Sequence, residues 1–220
     1  MSVILEAKNL LKQYGNLQVL KGIDLSVQHS EVISIVGASG AGKSTLLHIL
    51  GTLDIPDEGE LIIDNERVSS LNSNQLAKFR NQRLGFVFQF HNLLPEFTAL
   101  ENVCLPAFIA GKEEKSTQEK ALSLLDLLNV AHRKHHRPSE MSGGEQQRVA
   151  VARALINSPS IIFADEPSGN LDTKNATELH ELFFRLRKEL RQTFVIVTHN
   201  EHFANMADRC LEIRDGKIVS

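Results

Sequence analysis

A glycine-rich stretch between two apolar segments constrains the fold of this chain more than any other feature. It runs from Gly37 to Ser44, after the largely apolar Val32–Val36, and an apolar segment of helical length, Thr45–Leu50, follows it. A strand, a glycine-rich turn and a helix start, in this order, direct several backbone N–H groups at one point. The pattern is typical of a phosphate-binding loop, although a structural turn could contain the same residues by chance.

The residues of this loop have separate tasks in binding a nucleoside triphosphate. Gly37 and Gly42 permit a close backbone approach that a side chain would prevent. Lys43 can reach the β- and γ-phosphates, and the Ser44 hydroxyl can bind Mg²⁺. We expect these residues to bind the nucleotide: Gly37, Ala38, Ser39, Gly40, Ala41, Gly42, Lys43, Ser44 and Thr45.

The composition is ordinary for a globular protein and weakens the case for nucleic acid as a partner, without excluding a local basic patch. The 220 residues include 42% hydrophobic residues and carry a net charge of −3, so no global positive field favours nucleic acid as a partner. No apolar run approaches the ~18 residues that span a bilayer, so we expect another subunit to cross any membrane. The two cysteines, Cys104 and Cys210, fit no metal-binding spacing, and we expect both to be buried thiols.

A second motif supplies two adjacent carboxylates. Ile161–Ala164 is apolar throughout and indicates a central strand, with Asp165 and Glu166 directly after it. Asp165 can hold Mg²⁺, and Glu166 can orient and polarise an attacking water. The alternative is a structural pair of acidic residues at a strand end.

A third motif, Met141–Arg148, predicts a second anion-binding helix start. Ser142 and Glu145 have the spacing of a capping box, and the glycines between them leave the N-terminal amides uncovered. Two sites for the same phosphate within one monomer would be redundant. We therefore expect a homodimer on ATP binding, in which the second site completes the nucleotide pocket of the other copy, through Ser142, Gly143, Gly144 and Glu145.

With these motifs, the chain resembles the nucleotide-binding subunits of ATP-binding cassette (ABC) transporters over its whole length. The resemblance implies an α/β fold of the P-loop NTPase class, with a mostly parallel core sheet and an N-terminal antiparallel β subdomain. It implies one domain over residues 1–220. The helical pattern from about residue 90 to about residue 157 indicates an inserted α-helical subdomain. The cofactors implied are ATP and Mg²⁺.

The resemblance also assigns roles to single residues. Tyr14 matches the aromatic residue that stacks on adenine, with an ordinary surface or core aromatic as the alternative. Gln89 matches the glutamine that senses Mg²⁺ and the attacking water, Ser168–Asp172 the loop that crosses the dimer interface, and His199 the histidine that contacts the γ-phosphate. The implied catalytic residues are Glu166, His199, Lys43 and Gln89, and the implied Mg²⁺ ligands are Ser44, Gln89 and Asp165.

Two segments resemble one branch of the family in particular. Gln89–Val103 and Ser44–Asp54 are most similar to the lipoprotein-releasing (Lol) ATPases, whose close relatives serve macrolide export and cell division. The resemblance implies ATP hydrolysis at the cytoplasmic face of the bacterial inner membrane, coupled to two integral-membrane permease subunits. The alternatives are a macrolide-export or cell-division complex, a soluble ABC protein that acts on DNA or ribosomes, and a small-molecule kinase.

Three local features allow more than one interpretation. Phe90–Phe97 is apolar for a loop and forms either a groove for a membrane subunit or part of the helical packing. The histidines and cations of 132–137 could bind a metal, but we expect a solvated basic loop. Glu145 stands where many family members have glutamine, and we expect it to keep the capping geometry with little loss of function.

Overall fold

The computed structural model describes residues 2–219, which contain ten strands and seven α-helices. The strands β1 to β10 are, in order, Val3–Tyr14, Leu17–Gln28, Val32–Val36, Glu58–Ile63, Glu66–Arg67, Leu84–Phe88, Ile161–Asp165, Thr193–Val197, Arg209–Arg214 and Lys217–Ile218. The helices α1 to α7 are Lys43–Leu50, Ser73–Arg83, Ala99–Ile109, Glu114–Leu127, Gly143–Leu155, Thr173–Leu190 and Glu201–Met206. Within residues 2–219, no helix is both long and apolar enough to cross a membrane.

The strands form two sheets. The larger sheet has six strands in the order β10-β9-β3-β8-β7-β6, and its pairs are parallel except for the β9–β10 hairpin. The smaller sheet, β2-β1-β4-β5, is antiparallel and lies in the N-terminal part of the chain. These sheets confirm the predicted α/β class with a mostly parallel core. Helices α3, α4 and α5 follow β6 and precede β7 in the sequence, although these two strands are neighbours in the sheet. The one-domain division and the limits of the helical subdomain at 90 and 157 stay a prediction.

The six-stranded sheet is covered on both faces, as a parallel sheet requires. Side chains alternate along β8, so Phe194 and Ile196 face one apolar cluster while Val195 and Val197 face the other. The first cluster includes helices α3 to α6, and the second includes α1 and the antiparallel sheet. The apolar strands β3, β7 and β8 are therefore almost completely buried.

Two helices have no counterpart in the sequence analysis. Helix α2 buries none of its residues, so it shows no apolar stripe, and its start is fixed instead by a capping box between Asn72 and Gln75. Helix α7 has six residues and begins at Asn200, whose side chain accepts a hydrogen bond from the Phe203 N–H. By contrast, α6 buries an apolar stripe that includes Leu179, Leu182, Phe183 and Leu186.

The expectation of two buried thiols was wrong for one of them. Cys104 is buried in α3, and burial raises the pKa of its thiol to about 11. Cys210 is exposed, because the alternation of β9 buries Leu211 and turns Cys210 to the opposite face. There it lines a cavity of about 470 Å³ beside α7.

Candidate active site

The carboxyl ends of four parallel strands carry many of the predicted site residues. Gly37 follows β3, Gln89 follows β6, Glu166 follows β7, and Thr198 and His199 follow β8. Strands β3, β8, β7 and β6 are neighbours in this order. The loops after them therefore meet at one edge of the sheet, which is where open α/β sheets bind ligands.

The loop between β3 and α1 has the conformation that its glycines allow. Gly37, Gly40 and Gly42 all have positive φ, and Gly42 is the N-cap of α1. A side chain at Gly37 would collide with the backbone of Ile213. The Lys43 Nζ donates hydrogen bonds to the carbonyl oxygens of Gly37 and Ala38, at 2.9 Å each. The ammonium is thus held across the loop, with the backbone of α1 starting beside it.

The Ser44 hydroxyl and the Asp165 carboxylate lie together at the start of α1 and the end of β7. The Ser44 Oγ is 3.3 Å from the Asp165 Oδ1, and the Nε2 of His48 is 3.9 Å from the other carboxylate oxygen. A hydroxyl and a carboxylate are hard oxygen donors, so this pair fits Mg²⁺. Gln89 contacts Asn170 instead, to which its Nε2 donates at 2.9 Å.

Glu166 and His199 form a pair across the ends of β7 and β8. The Nδ1 of His199 lies 2.8 Å from the Glu166 Oε2, and the His199 N–H donates to the same oxygen at 3.3 Å. Glu166 has φ of 46°, a left-handed conformation that costs energy for a residue with a side chain. Its backbone N–H donates to Val197 at 3.0 Å, which holds this conformation in place. The carboxylate is mostly buried, while the imidazole is mostly exposed.

The capping box at the start of α5 is present. The Ser142 Oγ accepts from the Glu145 N–H at 3.3 Å, and the Glu145 carboxylate accepts from the Ser142 N–H at 2.8 Å. The Glu145 carboxylate also contacts Arg133 at 2.8 Å and His132 at 3.2 Å. Burial opposes ionisation of Glu145, but these hydrogen bonds lower its pKa to about 2. The expected basic loop is solvated at His132, whose side chain is 61% exposed, while the Arg133 guanidinium pairs with the Glu145 carboxylate.

Ser142–Glu145 and the phosphate-binding loop are not joined within the monomer. Among residues 2–219, no hydrogen bond or ion pair links 142–145 to 37–45. A side chain at Gly144 would instead collide with Asn175, near the start of α6. A side chain at Gly169, in the loop before α6, would collide with Gln89. The start of α5 is thus connected to the sheet edge that carries Gln89 through the loop 168–172 and the start of α6.

A buried polar network was missed by sequence reasoning. Gln147 is completely buried in α5, and its Nε2 donates to the carbonyls of Pro167 at 2.7 Å and Phe88 at 3.4 Å. Its Oε1 is hydrogen-bonded to the Nδ1 of the buried His91. Arg153 donates to the carbonyl of His91 at 2.8 Å. The network joins the ends of β6 and β7 to α5; a polar residue within the buried face of a helix is the only sequence signal for it.

Tyr14 lies at the end of β1 with about half of its surface exposed. Its hydroxyl donates a hydrogen bond to Asp54, beyond the end of α1. The ring therefore lies close to the helix that carries the phosphate-binding loop. Its role in stacking on adenine stays a prediction, as do the other residue roles assigned above.

The segment Phe90–Phe97 is partly exposed and partly packed, and its role as a groove for a membrane subunit stays a prediction. Phe90 is 74% exposed, and Leu94 and Phe97 are partly exposed, whereas Leu93 packs against the core. A cavity of about 300 Å³ lies next to the start of this segment. Its apolar lining includes Phe86, Phe88, Pro106 and Ile109.

Comparison with known proteins agrees with this geometry. The model of the ABC transporter family matches residues 20–169. With the parallel sheet and the phosphate-binding edge described above, this match defines the class. The chain belongs to the ABC transporter family, as an ATP-hydrolysing subunit.

Individual relatives place the chain more narrowly. It is 62% identical over 219 residues to the lipoprotein-releasing system ATP-binding protein LolD of Cytophaga hutchinsonii, covering 100% of both chains. It is 58% identical over 218 residues to LolD of Porphyromonas gingivalis, covering 99% and 100%. Among solved structures, a dimeric post-hydrolysis state of the ATP-binding cassette MJ0796, bound to ADP and Pi, has a TM-score of 0.89 at 40% identity, covering 99% and 97%.

Proposed function

We propose that this chain is the ATPase of a complex that releases lipoproteins from the inner membrane, and that it acts at the cytoplasmic face of that membrane. Full-length similarity to LolD proteins supports the choice of cargo. The observation that supports ATP hydrolysis is that Lys43, Asp165 and Glu166 lie at one sheet edge. Phosphoryl transfer to water requires a cation, a metal-binding carboxylate and a base, which these residues supply.

In this mechanism the chain's own groups position ATP and water. The loop Gly37–Thr45 binds the phosphates through backbone N–H groups and Lys43, while Tyr14 stacks on the adenine. Glu166 accepts a proton from the attacking water, and His199, which contacts Glu166, also contacts the γ-phosphate. Ser44 and Asp165, with Gln89 nearby, would hold Mg²⁺, which neutralises phosphate charge when bound.

The site is completed by a second copy of the chain. Ser142, Gly143, Gly144 and Glu145 do not reach the phosphate-binding loop of their own monomer. The capping box occupies the N–H groups of Ser142 and Glu145 and leaves those of Gly143 and Gly144 for an anion at the helix start. In the dimer, these residues of one copy cover the γ-phosphate bound by the other. The dimeric cassette with which the chain shares 40% identity supports this arrangement.

Replacing Glu166 by glutamine tests the mechanism. Glu166→Gln keeps the shape of the side chain but removes the base, so ATP should still bind while turnover falls by about 10² or more. The variant should accumulate as an ATP-dependent dimer, measured by size exclusion with light scattering. Glu189→Gln, an exposed change on α6, is the control and should hydrolyse ATP like wild type. Wild-type turnover of Glu166→Gln would show that Glu166 is not the catalytic base.

The same variant tests the cargo in cells. If the complex releases lipoproteins, cells that carry Glu166→Gln should retain outer-membrane lipoproteins in the inner membrane, as measured by membrane fractionation. Normal lipoprotein sorting together with altered drug tolerance or altered cell separation would instead support the macrolide-export or cell-division alternative.

The two permease subunits are proposed to bind at Phe90–Phe97 and the adjoining cavity. Exposed aromatic side chains beside an apolar cavity suit a short amphipathic helix. Phe90→Ser together with Ile109→Ser should weaken co-purification with the membrane subunits and leave ATP affinity unchanged, because both side chains are largely exposed. Leu190→Ser, exposed on α6, is the control. Unchanged assembly of the double variant would place the partner elsewhere.

A further inference from the structure

Lys12 is a charged residue on the core-facing side of β1. Residues two apart on a strand share a face, so Lys12 lies on the same face as Leu10, which is fully buried, and Tyr14, which is about half exposed. Lys12 itself is only 8% exposed. A buried ammonium is stable only where it is paired and hydrogen-bonded, so its partners define its task.

These partners all belong to the turn after α1. The Lys12 Nζ donates to the Asp54 Oδ1 at 3.0 Å and to the carbonyl of Ile55 at 2.6 Å, and lies 3.8 Å from Asp57. Burial alone would lower the pKa of Lys12, but the hydrogen bond to Asp54 and the charges of Asp54 and Asp57 raise it above 10.5. The ammonium therefore stays charged at neutral pH.

Lys12 and Asp54 also contact the Tyr14 side chain at two points. The Lys12 Nζ lies 5.1 Å from the centre of the ring, within the range of a cation–π contact. The Tyr14 hydroxyl donates to the Asp54 Oδ2, the oxygen that Lys12 does not use. The cation covers one face of the ring, and the ring stays 49% exposed.

This arrangement ties the ring to the phosphate-binding helix. Helix α1 begins at Lys43, and the backbone N–H groups of Leu53 and Asp54 donate to the His48 carbonyl at 2.8 and 3.2 Å. The turn that holds Tyr14 is thus fixed to the helix whose first residue holds the phosphates. We propose that Lys12 and Asp54 are positioning residues that fix the Tyr14 ring relative to the phosphate-binding loop and so set the affinity for the adenine base.

The inference rests on the proposed stacking of adenine on Tyr14, so the experiment separates the two. ATP binding to the purified full-length chain is measured for wild type, Tyr14→Ala, Tyr14→Phe, Lys12→Met and Asp54→Asn. Lys8→Met, on the exposed face of β1, is the matched control. Tyr14→Ala should raise the Kd about tenfold or more, the scale of an aromatic stack on a base.

The two positioning variants should weaken ATP binding less than Tyr14→Ala does, without changing the rate of the chemical step. Lys12→Met and Asp54→Asn should each raise the Kd and the KM for ATP about three- to tenfold and leave kcat unchanged. Asp54→Asn should have less effect in the Tyr14→Phe background than alone, because the phenylalanine has already lost the hydroxyl contact. Lys8→Met should bind ATP as wild type does.

Tyr14 provides an optical reporter, because the chain has one tyrosine and no tryptophan. The hydrogen bond to Asp54, burial and the Asp54 charge raise the pKa of Tyr14 above 10.0, while Lys12 lowers it. In an ultraviolet absorbance titration, Asp54→Asn should therefore lower this pKa and Lys12→Met should raise it. Circular dichroism at each pH checks that the chain stays folded. A general loss of structure would shift both variants in the same direction.

The outcomes are distinct. Wild-type ATP affinity of Tyr14→Ala would overturn the proposed stacking. Weak binding by Tyr14→Ala, with wild-type affinity and KM for Lys12→Met and Asp54→Asn, would overturn the positioning role and leave the stacking intact. If Lys12→Met and Asp54→Asn unfold, the milder Asp54→Glu replaces them. Additive effects of Asp54→Glu and Tyr14→Phe on the Kd for ATP would then overturn the positioning role.

Discussion

At the scale of single residues, Glu145 shows how one substitution is matched by its neighbours. The carboxylate accepts the Ser142 N–H within the capping box and also pairs with Arg133 and His132. A glutamine could keep the first contact but not the ion pair with Arg133. The basic segment and the acidic residue are therefore one structural unit, although they are separated in sequence.

This unit predicts a pH-dependent stability. The pKa of Glu145 falls from 4.5 to about 2 on folding, so its contribution is complete above pH 4.5 and is lost as the pH falls towards 2. Glu145→Gln should lower the free energy of unfolding by about 2 kcal/mol at neutral pH. Urea unfolding at several pH values measures the difference, which should shrink on acidification. Glu119→Gln, exposed on α4, should show no such trend; a pH-independent loss in Glu145→Gln would contradict the ion pair.

At the scale of elements, the start of α3 organises the loop before it. Asn102 is fully buried, accepts the Leu94 N–H at 2.8 Å, and donates to the carbonyls of Leu94, Phe97 and Thr98. Thr98 and Glu101 form a capping box at the start of α3. The helix thus fixes the loop that is proposed to meet the membrane subunits.

Loss of Asn102 should release this loop. Asn102→Ala leaves several backbone groups without a partner, so the free energy of unfolding should fall by about 2–3 kcal/mol. Amide hydrogen exchange should rise at residues 94–98 and stay unchanged in β7. The exposed Asn205→Ala serves as the reference. Uniform exchange changes in both regions would argue for global destabilisation instead.

The elements that could be predicted are those whose sequence pattern reflects burial or a required backbone conformation. The apolar runs of β3 and β7 predict buried strands, and the glycines before α1 predict its loop. Helix α2 could not be found because all its faces are polar or half-exposed, and it depends on a local cap. Among the site residues, Lys12 was missed because its partner Asp54 is 42 positions away and reaches it only in the folded chain.

At the scale of the whole molecule, the phosphate-binding loop and the residues Gln89, Asp165, Glu166 and His199 converge on one sheet edge because the parallel strands that carry them are neighbours. Sequence order does not reveal this, since β3 lies between β8 and β9. The resemblance to a family supplied the arrangement that local patterns could not. The contact of Gln89 with Asn170, and the Gln147 network, follow from that arrangement and have no signature of their own.

Nucleotide binding at this edge should stabilise the whole fold. At an ATP concentration about 100-fold above its Kd, the gain is about 2.7 kcal/mol, or a rise of several degrees in Tm. Lys43→Ala should lose this rise, because the phosphate charge then lacks its cation. Thermal unfolding with and without ATP measures it, with the exposed Lys188→Ala as control. Equal shifts in wild type and Lys43→Ala would show that Lys43 does not bind the phosphates.

The position of β3 has a consequence for biosynthesis. Its two neighbours in the sheet are β8 and β9, which end at Val197 and Arg214. A ribosome translates the strand that leads into the phosphate-binding loop long before it translates either neighbour. The nascent polypeptide therefore cannot close its central sheet until β8 and β9 have been translated, and fragments that end before β8 should be unable to retain ATP.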